Sequence, residues 1–341
     1  MMNYKEFRDG MEMRVRVFCL QDGIYENPDV KIEKVVKNNG MELYGLQITE
    51  AGDKGSKSEA SPVVYLEEFY DMYKKGALIG DVARACIDKH EKARAKAPVI
   101  AEDFLSALNN KEVFLGRVLP ELRSLSMNPG WTETMPHKII GDIMEIAVVT
   151  VELDNGDLMA AKINNSVLET FDIGPDELFD HALENMKRDD PAFVQDVFDK
   201  LSHAKTSKEL PDISTFPGFA ALSCEKCGAA AVLDEELIGR MSEKYGDVYL
   251  IPSSIYEFLV MPRSINTKSL SEVRQMVYEV NRQEVRPEER LSDQVYEIRD
   301  GKLSIAMTAE ERALMESVKL ADAQEKAQNA GRTNRPKKHS R

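Results

Sequence analysis

Several common signatures are missing from this 341-residue chain, and each absence narrows what it can be. It has no apolar run near the roughly 18–20 residues that a membrane helix needs. The first stretch, MMNYKEFRDGMEMRVRVFCL, mixes acids and bases with its apolar residues and so lacks a signal-peptide block. A cytoplasmic setting is therefore expected. Four cysteines, Cys19, Cys86, Cys224 and Cys227, are too few to staple a chain of this length, and a reducing compartment keeps them as thiols. There is no Walker loop, no GxGxxG after a strand, no HExxH and no GxSxG, and no internal repeat of fixed period.

What is present is an ordinary folding composition with an uneven charge. At 43% hydrophobic the chain can bury a real core, and its length fits two or three lobes. Net charge is −14, but the last ten residues, Arg332–Arg341, hold five Lys/Arg and no acid. The body before them carries 40 basic against 59 acidic residues, a net of −19. An acidic body repels a phosphate backbone, so contact with nucleic acid is expected only through the basic tail.

Periodicity predicts a helix over 3–20, with Phe7, Met11, Val15 and Phe18 at spacings of three and four. A hairpin follows: Val30–Val36, the Asn38-Asn39-Gly40 turn, and Met41–Ile48. A polar loop covers 51–61, a short strand Val63–Leu66, and a helix reaches Gly76. The next helix is expected over 78–95, ending before Pro98, while 101–125 is ambiguous. Segment 126–138 reads as a connection between lobes.

A second hairpin runs Ile143–Leu153, a turn at 154–157, and Leu158–Ile163, followed by two helices. The second of these opens on Gly174-Pro175, with acids at its positive end. A helix is expected over Pro191–Leu201 and a linker over 203–218. Then come strand Phe219–Ser223, the cysteine pair, strand Ala229–Leu233 and helix Asp234–Tyr245. Strands Val248–Ile251 and Ile255–Met261 flank Pro252-Ser253-Ser254, and a helix runs from Ser269 to about Arg282. A helical turn at Glu288–Leu291 and a hairpin across Asp300-Gly301 follow; Thr308 with Glu311 makes a capping box for a last helix to about Gln328.

Strand pairs keep being followed by helices rather than by parallel crossovers. The fold class read from this is α+β, with antiparallel hairpins each followed by helices in two or three lobes. The lobes are expected at 1–125, 139–202 and 218–306, with 307–341 a projecting helix and a basic, disordered tail.

YLIPSSIYEFLVMP (249–262), VRQMVYEVNRQEV (273–285) and LSDQVYEI (291–298) resemble a bacterial family known only as a domain of unknown function. KVVKNNGMELYGLQI, VVYLEEFYDMYKKG and INNSVLETFDIGPDELFDHALENM fit the same family, so the resemblance covers roughly residues 3–306. It implies a bacterial origin and a shared fold, and it supplies no reaction. The resemblance implies a His in many relatives where this chain has Tyr256, and it does not extend to the cysteine pair.

Cys224-Glu225-Lys226-Cys227 is the sharpest local motif. Two thiolates at this spacing can bite one zinc ion or close a redox disulfide. A structural zinc wants four protein ligands, however, and no second CxxC or HxxxH occurs. The plainer reading is a pair of turn thiols. Ser253 and Ser254, with Glu257, invite a nucleophile reading, yet a serine needs a base in reach and no histidine lies nearby in sequence. Here the plainer reading is a proline-set turn. Trp131, Tyr65, Tyr70 and Tyr73 are core aromatics or the lining of a groove.

With no complete catalytic constellation, the leading expectation is a non-enzymatic module that contacts another protein through its projecting helix and tail. Deleting 307–341 is then expected to weaken binding and leave the fold intact. The alternative is a thiol- or metal-dependent protein, or a hydrolase-like enzyme, centred on Cys224 and Cys227. A third is a small-ligand sensor using a cleft between lobes.

Overall fold

Asn3 opens the first helix with a complete capping box, its side chain accepting from the Glu6 amide while Glu6 accepts the Asn3 amide. In the computed structural model this helix, α1, spans Tyr4–Gln21 and buries Phe7, Met11, Val15 and Cys19 on one stripe. Residues 1–51, 61–152, 158–197, 209–213, 219–299 and 301–318 are described. The turn 154–157, most of the 51–61 loop, most of the 203–218 linker, Asp300 and everything beyond 318 lie outside them.

The N-terminal unit is a three-stranded antiparallel sheet, β1 (Pro28–Val36), β2 (Glu42–Glu50) and β3 (Val64–Tyr65). Asn39 takes φ +58° at the hairpin tip, a conformation asparagine tolerates. Helix α2 (Glu67–Lys74) and helix α3 (Ile79–Leu108) close this unit, with Phe69, Val82, Cys86 and Ile87 meeting Leu46 and Ile48. Helix α3 does not end before Pro98 but continues through it for a total of 30 residues. Proline removes one amide donor there, and the surrounding turns hold the helix across the gap.

The ambiguous 101–125 resolves into the end of α3, a short helix α4 (Lys111–Gly116) and strand β4 (Val118–Ser124). After the single turn α5 (Trp131–Thr134) come β5 (His137–Ile140), β6 (Ile143–Glu152) and β7 (Leu158–Lys162). β6 is the centre of this sheet: β4 pairs along one edge, β5 and β7 along the other. The connection at 126–138 thus joins two strands of one sheet. Helices α6 (Asn165–Phe171) and α7 (Pro175–Asp189) cover one face, packing Phe114, Leu178 and Phe179 against Ala147 and Val149.

The third sheet has six antiparallel strands. Its first member, β8 (Phe193–Asp196), falls where a helix is expected, because Phe193–Asp196 pairs in register with β9 (Ala220–Ser223). Pairing overrides local preference in so short a segment. Residues 229–233 are likewise not a strand; Gly228–Leu233 forms 3-10 turns packed into the core. Helix α8 (Glu235–Tyr245) follows, then β10 (Val248–Ser254) and β11 (Glu257–Pro262). Helix α9 (Leu270–Gln283) and the hairpin β12 (Tyr296–Arg299) and β13 (Lys302–Ile305) complete the unit.

Alternation along β10 divides two cores. Leu250 faces the larger one with Phe258, Val260 and Leu222, where Leu119, Leu122 and Val148 of the four-stranded sheet also lie. Tyr249 and Ile251 face Val273 and Val277 of α9. Residues 309–318 are helical, and the expected Thr308–Glu311 capping box is formed. The chain is α+β throughout, and no helix among the described residues is long and apolar enough to cross a membrane.

Candidate functional site

The two motifs read from the sequence sit against each other. β9 pairs with β11, so Cys224, just past β9, lies beside the turn that joins β10 to β11. The Ser223 hydroxyl donates to the Tyr256 carbonyl at 2.7 Å, and the Ala229 amide donates to the Ile255 carbonyl at 3.1 Å. Gly228 lets the backbones meet this closely: it has φ +56°, and a Cβ there would lie 2.7 Å from the Ile255 oxygen.

The cysteine loop is held from below by Asp190, a residue just past the end of α7. Its carboxylate accepts from the amides of Glu225, Lys226 and Cys227 at 3.0, 2.9 and 2.6 Å. Asp190 is 3% exposed, and of the three bonds the one to Cys227 is fully buried while those to Glu225 and Lys226 lie nearer the surface. From the sequence, Asp190 is one of an acidic pair at a helix end; the amides it serves lie 35 to 37 residues away, and no local pattern announces them.

Both thiols are buried. Burial, then the Asp190 charge, pushes the Cys224 pKa well above the ordinary thiol range. Cys227 is pushed the same way by burial and by Asp190, to which its side chain is also hydrogen bonded. Nucleophilic attack and zinc binding both use the thiolate, so this environment opposes both. No group of three or more His, Cys, Asp or Glu is placed to hold a metal among the described residues. Cys19 and Cys86 lie in the N-terminal core, where desolvation first, then nearby acids, raises them to about 11 and about 12.

Ser253 and Ser254 end β10 rather than forming a break, and the tight turn is Ile255–Tyr256. A bulge between Pro252 and Ser254 accommodates the proline, and Ser254 stands opposite Glu257. The Ser254 hydroxyl accepts the Tyr256 amide at 3.1 Å, which is turn chemistry. Two of the histidines that a serine nucleophile could use are engaged elsewhere. His90 Nε2 accepts the Ile48 amide at 3.2 Å, and His137 Nδ1 bonds the Met135 carbonyl at 3.0 Å. His181 lies on α7 near Glu184, and His203 and His339 fall outside the described residues. Tyr70 and Tyr73 pack with Phe7 in the N-terminal core.

A family model described as a family of unknown function, DUF5688, matches residues 4–299. The chain belongs to that family. The match covers all three sheets up to the end of β12 and stops before the terminal helix. No curated protein and no solved structure matches this chain.

The terminal helix is fixed at its base. Arg274 of α9 grips Glu311 through Nη1 and Nη2 at 2.7 and 3.0 Å, and its Nη2 also donates to the Ala306 carbonyl at 2.6 Å. Arg312 Nη2 donates to both oxygens of the buried Glu297 at 2.8 and 3.0 Å. Beyond Arg312 every described residue is exposed. Leu314 is 66% exposed, Met315 41% and Val318 51%.

Proposed function

We propose that the chain is a non-enzymatic cytoplasmic module that works by docking its terminal helix onto a protein partner. One observation carries this reading: the helix is braced at Glu311 and Arg312 while Leu314, Met315 and Val318 are left uncovered. Leu314 and Val318 are four residues apart, so they share a stripe of the kind that enters a hydrophobic groove. Bracing one end of a helix lowers the entropy lost when the other end is captured.

The test must separate binding from folding. Deleting 307–341 strips the buried Glu297 of Arg312, so a cut after Ala313 is the cleaner variant, together with Leu314→Ser and Val318→Ser in the full chain. Purification from the native host, with nuclease, is compared by mass spectrometry for wild type and variants. A stoichiometric protein lost from both variants, with unchanged melting, supports the reading. A partner retained by both overturns it. A partner lost only on nuclease treatment assigns the contact to nucleic acid and the tail Arg332–Arg341.

The competing reading places a thiol or zinc site at Cys224 and Cys227, with Ser253, Ser254 and Glu257 beside it. The raised thiols and the turn role of Ser254 weigh against it. Stoichiometric zinc in purified protein, lost in Cys224→Ala, would favour it over the docking helix.

A further inference from the structure

The four-stranded sheet has one helix-covered face and one whose side chains are partly charged. Register fixes which residues share the second face, because residues directly opposite in antiparallel strands point the same way. Lys162 on β7 and Leu119 on β4 both stand opposite Val148, and Arg123 on β4 stands opposite Met144, four residues earlier on β6. Glu121 and His137 both stand opposite Ile146, between those rows. Arg123, His137 and Lys162 therefore project from one face around Glu121. An ordinary packed sheet face would carry apolar side chains there.

A fourth basic residue arrives from the N-terminal hairpin. The Asn39 amide donates to Asn128 Oδ1 at 2.8 Å, and Asn128 in turn donates to the carbonyl of Ser124, the last residue of β4, at 2.8 Å. That bond ties the hairpin tip to the end of β4 and brings Lys37 over the same region. Each lysine is set by an aromatic ring: Lys162 Nζ lies 4.7 Å from the Trp131 centroid and Lys37 Nζ 4.4 Å from that of Tyr65. Among the described residues neither lysine ion-pairs with a carboxylate, and the nearby Glu121 is already bound by Arg123 Nη2. Partial desolvation, then the like charges of Arg123 and Lys37, lower the Lys162 pKa below the ordinary lysine value, with Glu121 only partly offsetting them.

We propose that Lys37, Arg123 and Lys162, with Trp131 as a wall, form a binding site for a small multiply charged phosphate compound. Three cations from three separate elements, with one carboxylate among them, leave an excess that an anion of two or more charges would neutralise. A small ligand fits better than a polynucleotide, because the body around the cluster is strongly acidic and would repel an extended phosphate chain. This site is separate from the docking helix, and its failure leaves that reading untouched.

Trp131 is the only tryptophan in the chain, so its fluorescence reports on the cluster directly. The full-length protein is titrated with inorganic pyrophosphate, with ATP and with a single-stranded RNA, reading Trp131 emission and heat. A saturable change with pyrophosphate or ATP is expected, weakened about tenfold or more in Lys37→Gln and in Lys162→Gln. Lys111→Gln, whose lysine pairs with Glu177 elsewhere, should bind as wild type. Circular dichroism checks that each variant is folded. Saturation by pyrophosphate alone and by ATP equally assigns recognition to the phosphates, whereas tighter ATP binding adds a ring contact. No saturable heat up to about millimolar ligand overturns the proposal. So does binding that ignores both lysine substitutions, or binding of RNA alone.

Discussion

The Asp190 carboxylate accepts the Cys227 amide at 2.6 Å across 37 residues of chain, and it accepts the two preceding amides as well. A turn of two cysteines is thereby organised by an acid from the end of a helix in another layer. Replacing Asp190 by Ala leaves the buried Cys227 amide and two part-buried amides without their acceptor, a loss on the order of 3 kcal/mol. Asp190→Asn keeps one acceptor oxygen and should lose less. Urea midpoints give the ranking. A thiol reagent gives an independent reading: Cys224 and Cys227 should stay silent in the native wild type and react in Asp190→Ala.

Glu145 on β6 is buried, and desolvation, joined by Asp180 and opposed by Lys138, raises its pKa from 4.5 to about 7. Between these two values the unfolded chain releases a proton that the folded protein keeps, so stability falls as pH rises from 4.5 to 7 and is flat above. Glu145→Gln should therefore be neutral near pH 4.5 and stabilising at pH 8, by up to about 3 kcal/mol. Equal stabilities of wild type and variant at pH 8 would refute this.

His90 runs the other way. It is wholly buried, and desolvation lowers its pKa below the ordinary 6.5 despite the opposing bond to Glu91. Above pH 6.5 both states are neutral; below it the unfolded chain takes a proton that the folded one refuses, so stability falls with falling pH. The clean comparison is in a Glu145→Gln background, where denaturation midpoints at pH 7.5 and 5.5 should differ. Adding His90→Gln should shrink that difference.

Tyr296 is buried, and its hydroxyl reaches Asp142 Oδ1 at 2.6 Å while accepting the Asp142 amide at 3.2 Å. Ser292 adds a bond to the same carboxylate at 2.8 Å. Tyr296→Phe removes one strand-to-turn link between the third sheet and the β5–β6 hairpin, leaving that of Ser292, and should cost roughly 2 kcal/mol. Thermal melts that coincide with wild type would exclude a stabilising role for the hydroxyl.

The elements that local chemistry defines were legible. α1 with its Phe7, Met11, Val15 stripe, the Asn38-Asn39-Gly40 turn, Pro175 opening α7 and the Thr308–Glu311 box all appear as expected. Misreadings fall where a distant partner decides. Phe193–Asp196 became a strand because β9 lies beside it, and Ala229–Leu233 became 3-10 turns because Gly228 seats them under Ile255. At the site, the cysteine pair and the serine turn were visible as motifs, but their adjacency depends on β9 pairing with β11. The charged face around Lys162 was invisible for the same reason: register across β6 places Arg123 and Lys162 on one side, and no spacing in the sequence encodes it.

The hairpin tip has a consequence for how the molecule is made. Asn38 Nδ2 donates to the Glu288 carbonyl, and Asn39 Nδ2 to those of Pro287 and Arg290, across about 250 residues. During synthesis this turn is made about 250 residues before the receiving carbonyls exist. Closure so distant in sequence is slow to form and comes last. Chains that stop before residue 287 lack those carbonyls and leave the tip of the N-terminal hairpin unclasped.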